Sequence, residues 1–229
     1  MGGIEGSADP VPLPNANVAL TKGGDIFPLT YNPSTSRYEL SDNTFLTIIP
    51  GDMFTIQVEA NDRTASATTV VPPPPEGLQI SNTTIRIPQL NLGFGLAEQI
   101  RELFASARLE LSWENTDENY YYVVIERRTD RIDPILPTEL PDQVIDLLSS
   151  FRFISEPSNG SSFEIVGVAL ETYGLHVAKV YRVNPEYVRL FQNPRQDSRD
   201  LNEPATNITN GVGIFSAFAA DSVFFEVTR

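Results

Sequence analysis

Hydrophobic and polar residues alternate along several short stretches of this chain, with the two-residue period of half-buried β-strands. The clearest stretch is 54–60, where Phe, Ile, Val and Ala would face one side and Thr, Gln and Glu the other. Stretches 109–113 and 175–183 alternate in the same way, and 120–125 is apolar on both faces, as in a central sandwich strand. The pattern predicts an all-β protein.

Two segments instead show the spacing of helices. Apolar residues of 96–107 fall on one helical face, and 141–149 begins with Pro141, a residue favoured in the first turn of a helix. We therefore expect two short helices inserted among the strands.

Four consecutive prolines, Pro72–Pro75, divide the chain. They favour a semi-rigid polyproline II spacer of about 12 Å. We predict two small immunoglobulin-like or fibronectin-like β-sandwich domains. Residues 1–71 form the first, of transthyretin or immunoglobulin type, 72–77 form the linker, and 78–229 form a fibronectin-like sandwich that carries both helices.

The composition narrows the function classes. Sixteen basic against 30 acidic residues give a formal charge of −14, which repels nucleic acids and anionic lipid surfaces. The chain contains no cysteine, which excludes disulfides and thiol chemistry within it. It also contains no apolar run of the roughly 18–20 residues that span a bilayer.

Candidate catalytic residues are few. His176 is the only histidine and lies within a predicted strand, and the chain contains no Gly-x-Ser-x-Gly elbow, so we interpret it as structural. Gly93-Phe94-Gly95 lacks the third glycine of a dinucleotide-binding loop and indicates an ordinary loop. We predict no enzyme, no cofactor and no catalytic or metal-binding residue.

Two weaker candidates concern binding. Asp197, Asp200 and Glu203 could offer oxygen ligands to Ca²⁺, but their spacing matches no calcium loop, and solvated loop charge is favoured. The run Tyr120–Tyr122 could stack on sugars, although core and cross-strand packing is the commoner role of such a run.

The most specific pattern lies near the C-terminus and resembles the signature of the domain of unknown function family four-two-four-nine. Asn-Pro and Glu-Pro pairs precede an Asn-Ile-Thr-Asn-Gly-Val-Gly-Ile-Phe core. A longer loop, 195–202, separates the two pairs here than is usual in the family. The motif residues are Asn193, Pro194, Glu203, Pro204, Asn207, Asn210, Gly211, Gly213, Ile214, Phe215 and Phe218.

Earlier segments are similar to the same family. They are the opening strand motif 15–18, the Pro-Gly strand 50–56, and Trp113 followed by the tyrosines at 120–121. The predicted helices at 96–107 and 141–149 have no counterpart in it.

The resemblance implies an extracytoplasmic outer-membrane lipoprotein, periplasmic or surface-exposed, of the Bacteroidota cell envelope. It would be attached only through a lipid anchor upstream of this chain and would assist nutrient uptake. The expected partner is a TonB-dependent receptor or a glycan. A carboxylate-dependent hydrolase and a purely structural surface protein are the alternatives, and the family offers no established catalytic residue to carry over.

The start of the sequence adds an expectation. Residues 1–13 carry no export signal. We expect Met1 to be an internal start or an artificial boundary, with a signal peptide, a lipobox cysteine and further strands encoded upstream. The first sandwich would then lack its opening strand and expose a sheet edge, and 1–13 would run loose.

The C-terminal motif also has a physical interpretation. Gly211 and Gly213 would permit positive φ or close backbone approach. Ile214, Phe215 and Phe218 would bury their side chains between sheets. We interpret the motif as structural, with a binding loop as the alternative.

Overall fold

The computed structural model describes residues 12–41, 45–89, 95, 98, 101–102, 107–135, 152–167, 170–192 and 205–229. These residues form mainly strands, so the all-β prediction is confirmed. The elements are β1 (Asn17–Lys22), β2 (Asp25–Asn32), β3 (Arg37–Glu39), β4 (Met53–Ala60), β5 (Arg63–Val70), β6 (Glu76–Ile80), β7 (Thr84–Arg86), β8 (Arg108–Glu114), β9 (Tyr120–Arg127), β10 (Arg152–Ile154), β11 (Ser162–Val166), β12 (Gly174–Val183), α1 (Pro185–Gln192) and β13 (Phe218–Thr228).

The chain divides into two compact units. The first unit combines Met1–Val71 with Leu201–Ser216, and the second combines Pro72–Asp200 with Ala217–Arg229. The break after Val71 coincides with the start of the proline run. The sequence assigned all of 78–229 to one domain, whereas 201–216 groups with the first unit because its described part pairs with β5.

The first unit contains a five-stranded antiparallel sheet in the order β3-β2-β1-β4-β5. Where the sequence predicted a small sandwich, the described strands join in this single sheet. The alternation of β4 is realised in its pairing, because Phe54, Ile56 and Val58 lie opposite Lys22, Leu20 and Val18 of β1. Among the described residues of the unit, the buried side chains are Val18, Phe54, Ala67, Thr69 and Val71.

The second unit is a two-sheet sandwich. One sheet has the order β10-β9-β12-β13-β7, with β7 parallel to β13, and the other has the order β11-β8-β6. Their inner faces share one continuous core, built by the strand alternation that the sequence shows at 109–113 and 120–125. Its largest fully buried members include Phe225, Leu109, Leu111, Ile125 and Ile165.

The linker is shorter than predicted, because β6 already begins at Glu76. The predicted helix 141–149 lies outside the described residues, as does most of 96–107. One described helix, α1, was not predicted. Asn184 precedes its first residue, Pro185, and the Asn184 carbonyl accepts the Tyr187 N–H at 3.0 Å. Proline at the first helical position, after a polar cap residue, was the available sequence signal.

Candidate functional site

The motif loop, residues 205–216, is closed by the side chain of Asn207. Its Nδ2 donates to the Phe215 carbonyl at 2.7 Å, and its Oδ1 accepts the Phe215 N–H at 2.9 Å. The Asn207 N–H donates to the Gly213 carbonyl at 3.2 Å. One amide side chain thus occupies both backbone groups of a residue eight positions later, which fixes the shape of the loop.

The motif loop docks on β5, the last strand of the first unit's sheet. Thr209 and Ser66 exchange backbone hydrogen bonds of 2.8 and 3.2 Å, and Asn210 Nδ2 donates to the Thr64 carbonyl at 3.3 Å. An edge strand with free backbone groups invites pairing with other chains. The motif loop therefore occupies part of this edge from within the same chain.

The two glycines of the motif serve different geometric needs. A Cβ on Gly211 would lie 2.9 Å from Ile208 Cγ2, so the packing of Ile208 within the motif loop favours glycine there, whereas Ala65 Cβ of β5 would be in ordinary contact at 3.4 Å. Gly213 instead has φ of +139°, a conformation that side chains disfavour.

The apolar side chains of the motif are less buried than the sequence predicted. Ile214 and Phe215 are half-buried, and Phe218 remains 38% exposed at the start of β13. The Phe218 ring meets Tyr122 and Tyr187 edge-on, at centroid distances of 6.1 and 4.9 Å. Burial between sheets is wrong for Phe218, because its side chain belongs to the opposite face of β13 from the core residues Phe225 and Val227.

The remaining candidates of this region, Asn193, Pro194, Glu203 and Pro204 with the calcium candidates Asp197 and Asp200, lie outside the described residues. So do Gly93 and Phe94.

His176 lies in the core of the second unit and is fully buried. Its Nδ1 lies 2.9 Å from the Gly174 carbonyl, and its ring stacks on Phe225 at 5.4 Å. Within the described part of the chain, Nε2 has no hydrogen-bond partner. Burial, and secondarily the charge of Arg127, lowers the pKa of His176 below 6.5. A neutral ring packed on phenylalanine, without access to solvent, fits a structural role.

The tyrosine run divides between the two faces of β9. Tyr121 is buried and packs against Trp113 at 5.4 Å, and burial raises its pKa above 10. Tyr122 stacks on Tyr181 at 4.8 Å with nearly parallel rings. The rings of Tyr121 and Tyr122 thus pack against neighbouring aromatic side chains, which favours packing over sugar stacking.

A small acidic cavity of about 90 Å³ lies at one end of the second unit. It is lined by Glu76, Glu114 and Asp117 together with Arg182. Glu76 and Glu114 are direct cross-strand neighbours on β6 and β8. They therefore lie side by side, not across a cleft, and the volume is well below the roughly 300–1,000 Å³ of ligand pockets. A cavity of this size is too small for a substrate pocket, so it gives no support to the hydrolase alternative.

The most exposed apolar surface belongs to the first unit. The apolar loop, residues 45–53, carries Phe45 at 85%, Ile48 at 57%, Ile49 at 55% and Met53 at 59% exposure. From the sequence, only the Pro-Gly strand 50–56 was predicted here. The available signal was a run of large apolar residues without alternation beside a turn.

The apolar loop is held at its base. Lys22 Nζ lies 2.6 Å from an oxygen of Asp52 and 2.5 Å from the Thr47 carbonyl. Asp52 Oδ2 also accepts the Ile49 N–H at 2.8 Å. The Lys22 hydrogen bond and then the Ile49 N–H lower the pKa of Asp52 below 3.8, so the carboxylate is charged at neutral pH.

The described residues contain no cluster of three or more His, Cys, Asp or Glu placed to hold a metal ion. Nor do they include a helix with the length and hydropathy required to cross a membrane.

Comparison with known protein families gives a match over most of the chain. The model of the family described as Domain of unknown function (DUF4249) matches residues 3–223. No curated protein matches the chain.

Proposed function

This chain belongs to the DUF4249 family, and on that premise we propose that it is a non-catalytic binding protein of the cell envelope. In this proposal it is an outer-membrane lipoprotein accessory to nutrient uptake, and its apolar loop contacts a TonB-dependent receptor.

The exposure of the apolar loop is the observation that carries the proposal. Three large side chains, Phe45, Ile48 and Ile49, are each more than half exposed within five residues. Single exposed apolar side chains are common on protein surfaces, but a contiguous group marks an interaction site. A group of this kind supports a contact that excludes water.

The loop is also pre-organised for binding. The ion pair between Lys22 and Asp52, together with the Gly51 N–H bonded to the Val71 carbonyl at 2.9 Å, holds its base. A surface that is ordered before binding loses less conformational entropy in the complex. The ordered base of the apolar loop therefore favours binding to one specific partner over transient, non-specific hydrophobic contacts.

Charge favours a protein partner. Asp52 is the only charged residue of the loop and is paired with Lys22. Protein interfaces are depleted of charge at their centres, whereas a net charge of −14 opposes approach to anionic lipid. A receptor is preferred over a glycan because the tyrosine rings of the second unit are packed against one another.

The test uses purified chain immobilised and exposed to detergent-solubilised outer membranes, followed by binding measurements with the purified receptor. We expect saturable binding that the triple substitution Phe45→Ser, Ile48→Ser and Ile49→Ser weakens at least about 100-fold, since a few anchors dominate interfaces. Phe224→Ser is the matched control, because Phe224 is an exposed ring of the second unit.

Equal binding by the triple variant would contradict the proposal, as would the recovery of no receptor by the unsubstituted chain. A parallel flotation assay with phosphatidylcholine vesicles separates the lipid alternative. If only vesicle binding is lost in the triple variant, the loop binds membrane and the receptor proposal fails.

A further inference from the structure

A second surface of the first unit has the dimensions of a ligand site. The hairpin pocket, of about 480 Å³, lies beside the turn between β4 and β5. It brings together Leu13, the β4–β5 hairpin and Asn210 of the motif loop, which are distant in sequence. Its volume falls within the roughly 300–1,000 Å³ of small-molecule pockets.

The apolar part of the pocket is formed by four aliphatic side chains, those of Leu13, Val58, Ala60 and Ala65. Val58 and Ala65 are cross-strand partners and are half-buried. Leu13 is 53% exposed, so it offers apolar surface that a ligand could cover. These side chains provide contact for a short branched or linear aliphatic group.

Arg63 is the single charged residue among those that line the pocket. Within the described chain its guanidinium has neither an ion pair nor a hydrogen-bond partner. An adjoining cavity is lined by Arg63 together with the carboxylates of Glu59 and Asp62. Glu59 accepts hydrogen bonds from Gln57 and Asn17, at 2.7 and 3.3 Å. No carboxylate lines the hairpin pocket itself, so the exposed Arg63 guanidinium is available to an anionic ligand there.

The backbone around Arg63 is fixed in an unusual conformation. Asn61 and Asp62 form the two-residue turn with φ of 51° and 58°, and Asn210 has φ of 58°. Such turns favour glycine at the second position, so Asp62 stores strain that the fold must offset. Asn210 also bonds the Thr64 carbonyl, next to Arg63. The pocket wall is therefore formed before any ligand arrives.

We propose that the hairpin pocket binds a small aliphatic carboxylate, with Arg63 pairing with the carboxylate and Leu13, Val58 and Ala65 covering the aliphatic part. An arginine fork matches a carboxylate in a bidentate fashion. The same chemistry occurs in a free short-chain acid and at the C-terminus of a peptide that ends in an aliphatic residue. This site is separate from the apolar loop and does not depend on the proposed receptor contact.

The test is an NMR titration of the ¹⁵N-labelled chain with two carboxylate probes, 4-methylpentanoate and N-acetyl-leucine. We expect saturable shifts of the backbone amides of Arg63, Thr64 and Asn210. The uncharged probes 4-methylpentanamide and N-acetyl-leucinamide should bind at least about tenfold more weakly, the ratio expected when one charge-assisted contact is lost. Stronger binding of 4-methylpentanoate would identify a free short-chain acid as the natural ligand. Stronger binding of N-acetyl-leucine would identify the C-terminus of a peptide.

Arg63→Gln should abolish the preference for carboxylate over amide, and Arg37→Gln, on the opposite edge strand of the same sheet, should preserve it. Unchanged amide spectra away from the hairpin confirm that both variants are folded. The absence of saturable shifts at the pocket, equal binding of acid and amide, or a preference that survives in Arg63→Gln would each overturn the proposal.

Discussion

The two units of this chain differ in how completely they bury their apolar side chains. The second unit encloses a continuous core between two sheets, with Leu111, Val180 and Ile87 fully buried. The first unit has one sheet, few fully buried side chains, and large apolar residues such as Phe45 and Ile26 at its surface. Burial stabilises a fold, whereas apolar surface left exposed is free to bind. We infer that the second unit provides stability and the first provides recognition.

The largest expected effect comes from shortening one strand leucine in each unit and comparing the losses of stability. Leu111→Ala should cost about 2–5 kcal/mol, because Leu111 is fully buried and its removal leaves a cavity. Leu20→Ala, at a half-buried position of β1, should cost less than half as much. Urea unfolding followed by circular dichroism measures both. Equal losses would show that the first unit is as tightly packed as the second.

His176 should make the second unit sensitive to pH. Because burial lowers the folded-state pKa of His176 below 6.5, the unfolded chain takes up the proton first as pH falls. The neutral His176 ring therefore contributes fully to the free energy of unfolding above about pH 6.5. This contribution is lost as pH falls from 6.5 towards the lowered pKa of the folded state, by about 1.4 kcal/mol for each unit by which the pKa is lowered.

The measurement is the free energy of unfolding between pH 5 and 7.5, with amide exchange to separate the units. His176→Gln should be less stable at neutral pH but should show a flatter pH profile in this range, since glutamine does not titrate. A slope that persists unchanged in His176→Gln would assign the titration to another group.

The smallest effect should be confined to the first unit. Asn207→Ala removes both side-chain bonds to Phe215 and should cost about 1–2 kcal/mol, with faster amide exchange at Ser66 and Thr209. Asn207→Asp keeps the acceptor for the Phe215 N–H but sets a carboxylate oxygen against the Phe215 carbonyl, so it should cost at least as much at neutral pH. Unchanged exchange at Ser66 in Asn207→Ala would mean that the motif loop docks without this side chain.

Local patterns allowed much of the fold to be predicted. The alternation from Phe54 to Ala60 predicted β4, and the doubly apolar run from Tyr120 to Ile125 predicted a strand buried on both faces, as Val123 and Val124 are in β9. Both succeed because strand periodicity follows from the geometry of adjacent residues.

The candidate sites were harder to predict. The pairing of Thr209 with Ser66 joins distant parts of the chain, and neither residue carries a local signal for it. The sequence therefore assigned the motif loop to the second domain. The exposure of Phe45 could not be predicted either, because large apolar residues are usually buried and nothing in the neighbouring sequence marks this one as an exception.

The docking of the motif loop on β5 has a consequence for biosynthesis. The N-terminal part of a chain leaves the ribosome first, and domains commonly fold as soon as each has been synthesised. Here β1 to β5 emerge early, but the residues that pair with Ser66 and pack against Ala65 emerge only after most of the second unit. The first unit thus completes its fold only after most of the second unit has been synthesised, so a fragment that stops at Val71 would lack part of its own structure.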